Sequence, residues 1–209
     1  MTSELLRWWK DKARWFPWRF EKDRYRLFVA ELLLHRTRAE NVVPVYGRFI
    51  REIPDVESLS NKSVSQLEEI VGSLGLNWRV KLMIDSAKEI VDRFGGKIPC
   101  DLEKLKELPG VSDYIASAIM IFSCGCLLPL LDTNTVRITA RYFGLEQSDS
   151  SRRMKDFRDG VLRLIDHRKI IDSYYALIDL GALICKPINP RCSVCPMREG
   201  CRYHKETAK

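Results

Sequence analysis

The sequence predicts an all-α fold, on three observations. Apolar residues recur at spacings of three and four through most of the 209 residues. No stretch alternates polar and apolar as a half-buried strand does. Turn residues close the periodic segments, as at Gly95-Gly96 and Pro109-Gly110. The length suits one large domain or two small ones sharing a core.

In chain order, 25–37 carries Leu27, Phe28, Val29, Leu32, Leu33 and Leu34, more apolar than a surface helix and therefore expected to be central. Segment 63–74 sets Val64, Leu67, Ile70, Val71 and Leu74 on one helical face, and 80–94 repeats the pattern up to Gly95-Gly96. A short helix is expected over 101–108, then a Pro-Gly turn, then a helix over 113–122 with Tyr114, Ile115, Ala118, Ile119 and Phe122. Further helices are expected over 134–143, 151–166 and 171–184, with loops at 53–54, 95–100, 124–131, 144–149 and after Cys185.

Hydrophobic residues make up 45%, which argues against disorder. The longest apolar run, 178–185, is interrupted by Asp179 and is too short to cross a bilayer. The first residues place Arg7, Lys10 and Asp11 around Trp8 and Trp9, unlike a signal peptide, so a cytosolic chain with no membrane contact is expected. Lys and Arg outnumber Asp and Glu by 35 to 28, a net charge of +7. The excess sits at the two ends, 1–48 and 185–209, as fits a phosphate-rich partner.

Seven cysteines, an odd number, argue against a disulfide framework in such a chain. Cys185, Cys192, Cys195 and Cys201 read C-x6-C-x2-C-x5-C in a loop stiffened by Pro187, Pro190 and Pro196. Four thiolates at this spacing can hold one metal centre. Structural zinc is one reading, but it favours two tight cysteine pairs, and only Cys192 and Cys195 form one. The uneven spacing favours a [4Fe-4S] cluster. Cys100, Cys124 and Cys126 lie in or beside apolar helices and read as core residues.

Leu108-Pro109-Gly110-Val111-Ser112 separates two amphipathic helices. Such a hairpin offers backbone N–H groups at a helix N-terminus, where a phosphate oxygen can bind; an ordinary tight turn is the plainer reading. Asp132, in Leu-Leu-Asp-Thr-Asn-Thr-Val, has the sequence of a helix N-cap. A carboxylate stabilised as an anion at a helix N-terminus also suits a reaction that builds positive charge on a sugar.

Hairpin, downstream aspartate and cysteine tail, in this order and spacing, resemble the endonuclease III-like helix–hairpin–helix DNA glycosylases. The likeness runs from Phe16-Pro17-Trp18-Arg19 to Cys201. It implies two helical lobes flanking a DNA-binding cleft: a six-helix lobe with the hairpin over 23–127, and a cluster lobe from 1–22 and 128–209 whose loop spans 185–201. It also implies a cytoplasmic, nucleoid-associated protein of a prokaryotic cell, acting as a monomer on double-stranded DNA with a mismatched or damaged base.

Three features choose a branch. Bifunctional members carry a nucleophilic lysine on the helix after the hairpin; here Tyr114 stands there, and tyrosine forms no imine. Glu31, in Ala-Glu-Leu-Leu-Leu-His-Arg-Thr, resembles the glutamate that faces the base pocket in the adenine- and thymine-mismatch branches, where it donates a proton or positions water. The chain ends eight residues after Cys201, with no room for the second domain of adenine-mismatch enzymes. With Arg141-Tyr142-Phe143-Gly144, these features are most similar to the thymine/uracil–guanine mismatch branch.

The same resemblance makes Arg36, with His35 beside it, the residue that fills the vacated base stack, Leu76 the wedge on the opposite strand, and Leu108, Gly110 and Ser112 the phosphate-binding turn. Trp78 reads either as a stacking surface or, more commonly for tryptophan, as a core residue. Ser112 stands where the family has glycine, and Asp113 where it has a basic or small residue; an acid there repels phosphate unless it points away. Ile115 replaces a frequent threonine. The remaining readings are an enzyme of this fold for adenine opposite 8-oxoguanine or for oxidised pyrimidines, and a DNA-binding relative without catalysis.

Overall fold

The computed structural model describes residues 2–75 and 77–207, with the backbone alone for Phe20. Among the described residues there is no strand, and twelve α-helices are joined by short loops and 3₁₀ turns. The first six are α1 Thr2–Lys12, α2 Arg24–Leu34, α3 Ala39–Glu52, α4 Val56–Ser60, α5 Val64–Val71 and α6 Asn77–Phe94. The others are α7 Leu102–Glu107, α8 Asp113–Cys124, α9 Thr133–Phe143, α10 Lys155–Arg163, α11 Ile170–Leu183 and α12 Arg202–Thr207. Among these, no helix is long and apolar enough to cross a membrane.

The chain divides into two compact units, Trp15–Cys124 and Met1–Arg14 with Gly125–Lys209; the sequence predicts the divisions at 22/23 and 127/128. Residues 15–22 join the central unit through aromatic packing. Phe16 stacks on Trp18 at 5.1 Å, and Trp18 meets Tyr46 of α3 edge-on at 5.5 Å.

In the central unit α2 is buried on nearly all sides, as its composition predicts: Leu27, Phe28, Val29, Ala30, Leu32 and Leu33 are all core residues. Its start is fixed by Asp23, whose side chain accepts from the Arg26 N–H. Helix α5 opens with a capping box of Ser63 and Gln66. Helix α3 carries Pro44 in its interior, which removes one backbone bond and hides the helix from a reading by periodicity and breakers.

Cys100, just before α7, is disulfide-bonded to Cys124, the last residue of α8, with Cα atoms 6.4 Å apart. This corrects the reading of both as core thiols. The pairing exists because α7 and α8 fold back on each other about the Pro-Gly turn, a juxtaposition that spacing alone does not show.

In the second unit Asp179 of α11 is fully buried and gathers donors from the chain's first residues. It accepts from Trp9 Nε1 at 2.9 Å, from the Arg14 backbone N–H at 3.0 Å, and from Arg14 Nε at 2.6 Å. A buried carboxylate is tolerated only with such partners, so the acid that interrupts the apolar run is the anchor for α1.

Candidate functional site

In the central unit the hairpin is a tight turn between α7 and α8. Leu108 ends α7 in an extended conformation, and the Val111 N–H returns to its carbonyl at 3.1 Å. Gly110 sits at φ +76°, and a β-carbon there would come within 3.1 Å of Leu82 Cβ; both facts favour glycine. Ser112 is the cap of α8, its Oγ accepting from the Ile115 N–H at 3.3 Å. Serine therefore has a local role where the family has glycine. Asp113 is the exposed first residue of α8, where an acid complements the helix dipole. Tyr114 follows, half-buried in the same first turn.

Glu31 lies in α2 and is 6% exposed. One turn later α2 stops. His35 is extended, and Arg36 takes φ +61°, a left-handed conformation costly for a residue with a side chain. The stop withdraws the amide that would continue the helix onto the Leu32 carbonyl, and Arg79 Nη1 donates to that carbonyl instead, at 2.6 Å.

Arg79 is 3% exposed; burial, then the Arg36 charge, push its pKa down to about 10. Its guanidinium carbon lies 4.9 Å from the centre of the Trp78 ring, and His35 meets the same indole edge-on at 6.2 Å. Burial, then the charges of Arg79 and Arg36, lower the His35 pKa and favour its neutral form. Trp78 is 56% exposed, which corrects the expectation of a core tryptophan. Leu76 lies outside the described residues. Arg79 is the residue that sequence reasoning missed: a buried arginine beside an exposed tryptophan inverts the usual order, and no pattern announces it.

In the second unit Asp132 caps α9 in a capping box. Oδ1 accepts from the Thr135 N–H at 2.7 Å, and the Asp132 N–H donates to Thr135 Oγ1 at 2.9 Å. The other oxygen accepts from Asn134 Nδ2 at 3.0 Å. Asn134 Oδ1 in turn accepts from Arg137 Nη2 at 2.8 Å, and Arg137 Nε donates to the Cys185 carbonyl at 2.7 Å. Capping and chemistry are thus compatible here, since the cap fixes the carboxylate.

The four tail cysteines are each half-buried. Arg141 Nη1 donates to Cys185 Sγ at 3.4 Å and to the Lys186 carbonyl at 2.6 Å, while Cys201 Sγ donates to the Arg141 carbonyl at 3.6 Å. Burial pushes the Cys195 thiol up to about 11, with further electrostatic contributions from Cys185, Cys201 and Cys192. Among the described residues no three His, Cys, Asp or Glu side chains form a group suited to one metal ion. Four soft sulfurs are the donor chemistry that an iron–sulfur group takes.

Comparison with known proteins identifies the family of the chain. The family pattern described as HhH-GPD superfamily base excision DNA repair protein matches residues 29–162, a stretch holding both the hairpin and Asp132. The thymine-DNA glycosylase of Aeropyrum pernix is 37% identical over 211 residues, 98% of this chain and 94% of that protein. The thymine/uracil-DNA glycosylase of Pyrobaculum aerophilum is 33% identical, over 92% of this chain and 86% of that protein. Among solved structures, a thermostable thymine-DNA glycosylase superimposes with a TM-score of 0.90 at 30% identity, over 98% of this chain and 95% of that one. An all-helical chain with its hairpin and capping aspartate inside the matched stretch belongs to the HhH-GPD superfamily of base excision DNA repair proteins.

Proposed function

We propose that the chain is a monofunctional DNA glycosylase that takes T or U mispaired with G out of the duplex and hydrolyses its N-glycosidic bond. The observation that carries this is the Asp132 carboxylate, held through one oxygen by the α9 N-terminus and through the other by Asn134. An ionised carboxylate has about four acceptor positions, so a fixed anion held by two bonds still has a face to present. As the base departs with the bonding electron pair, positive charge develops at C1′ and the ring oxygen, and Asp132 stabilises it. Glu31 serves the leaving base as proton donor or orients the water that adds to C1′. Tyr114 offers no amine, so the product is an intact abasic site. The relatives named for thymine and uracil support the choice of base.

Arg36 and His35 fill the vacated stack in this reading, Leu76 wedges the opposite strand, and Leu108, Gly110 and Ser112 form the turn that meets a backbone phosphate. Cys185, Cys192, Cys195 and Cys201 hold a [4Fe-4S] cluster, which when bound supplies four iron–thiolate bonds that tie the tail loop together.

The test is Asp132→Asn, which keeps the size and capping ability of the residue and removes its charge. Mismatch-duplex affinity is expected to survive while single-turnover base release falls by about 10²-fold or more. Near-full release by this variant would reduce Asp132 to a helix cap.

A further inference from the structure

We propose that Arg79 is a positioning residue that holds the exposed Trp78 indole and the His35–Arg36 corner as one pre-formed surface for the DNA strand being opened. The proposal rests on the base-flipping reading above and adds to it a residue with no counterpart in that reading.

Four observations converge on this guanidinium. It is almost fully buried, and its Nη1 occupies the Leu32 carbonyl that the end of α2 leaves without a helical partner. It lies against Trp78, whose ring is otherwise largely in solvent. The edge of that ring is met by His35, so indole and corner share one support. Next along the chain Arg36 is exposed and left-handed without being glycine. Two exposed groups suited to nucleic acid, an indole face and a guanidinium, thus stand on a buried third.

The arrangement also has a cost that a purely structural arginine would not require. Arg79 Nε and His35 Nδ1 are both buried without a hydrogen-bond partner, and each is a desolvation penalty. The left-handed Arg36 adds backbone strain. A corner with strain and two unpaired polar atoms is kept where geometry matters more than stability. Insertion into a base stack requires that geometry. Opening the base pair is itself unfavourable, and a surface already in shape adds no ordering penalty to it.

The experiment compares wild type, Arg79→Met, Trp78→Ala and the double variant on two substrates: U·G in a duplex, and U opposite an abasic analogue, where no partner base must be displaced. A 2-aminopurine beside the target reports unstacking, whether or not base release follows. Arg79→Met is expected to slow release from the U·G duplex about tenfold, with a smaller fluorescence change, and to act much more weakly on the unpaired target. In the double variant the duplex loss is expected to match the larger single loss, because both changes disable one surface. Arg79→Lys, which keeps the charge and a donor, is expected to recover part of the fluorescence change. Thermal unfolding separates a lost fold from a lost position.

Equal losses on both substrates, additive losses in the double variant, or no loss on the duplex would each overturn the proposal. So would a wild type that binds the mismatch without any 2-aminopurine response. A wild type that unstacks the neighbour yet releases no base counts instead against the glycosylase reading, and the Arg79 comparison still decides this proposal.

Discussion

Gly181 of α11 packs so closely on Asn134 of α9 that a β-carbon at position 181 would lie 2.5 Å from Asn134 Cβ. The contact matters because Asn134 holds one oxygen of Asp132, while the Gly181 carbonyl and the Asn134 side chain both bind the Arg137 guanidinium. Since Arg137 also binds the Cys185 carbonyl, one arginine sets the carboxylate's support and the first residue of the cysteine loop together.

Gly181→Ala is therefore expected to damage activity beyond its effect on stability. The colliding atom is a β-carbon fixed to the backbone, so the start of α9 must move and Asp132 with it. Overpacking of this kind costs about 1–3 kcal/mol. Single-turnover base release should fall while duplex affinity changes little. A variant that loses thermal stability but releases base at the wild-type rate would show that Asn134 does not position the carboxylate.

The Cys100–Cys124 bond closes a loop of 24 residues around the hairpin. Its loss, by reductant or by Cys100→Ser, is expected to lower stability by about 3 kcal/mol through the entropy regained by the unfolded chain. Unfolding with and without dithiothreitol measures this. Identical curves, together with thiol labelling of both cysteines in the unreduced, unfolded protein, would show that the bond does not form.

Much of this was legible in the sequence, and the failures have identifiable causes. Helices α2, α5, α6, α8, α9 and α11 announce themselves by an apolar face and a stop, and the Asp132 cap by the Asp-Thr-Asn run before a helix. Helix α3 was not read because Pro44 looks like a breaker, although it costs only one backbone bond in a helix anchored by Val42, Val45, Tyr46 and Phe49. The expected helix over 25–37 ends at Leu34, because the chain turns at His35 and Arg36. The disulfide, the Arg79–Leu32 bond and the Asp179 anchor share one reason for their invisibility: each joins residues whose proximity is created by tertiary packing. The sequence shows their types but not their meeting.

The cysteine tail gives a prediction that needs no DNA. Protein isolated without chelators is expected to be yellow-brown, with a broad absorbance band near about 400 nm and iron and acid-labile sulfide in near-equal amounts. Cys192→Ala or Cys195→Ala should lose the colour and much of the solubility. Colourless, active protein with one zinc per chain would assign the four thiols to a different metal.

The central claim is tested most directly by base release from a panel of duplexes, each with one altered pair, read before and after alkali. Wild-type protein is expected to release T and U opposite G and leave an abasic site that only alkali or heat cleaves, with no protein–DNA adduct trapped by borohydride, because Tyr114 stands where a lysine would attack. Strand cleavage without alkali and strong trapping would contradict the monofunctional mechanism. Release of adenine opposite 8-oxoguanine, or of an oxidised pyrimidine, in preference to T or U opposite G would contradict the substrate.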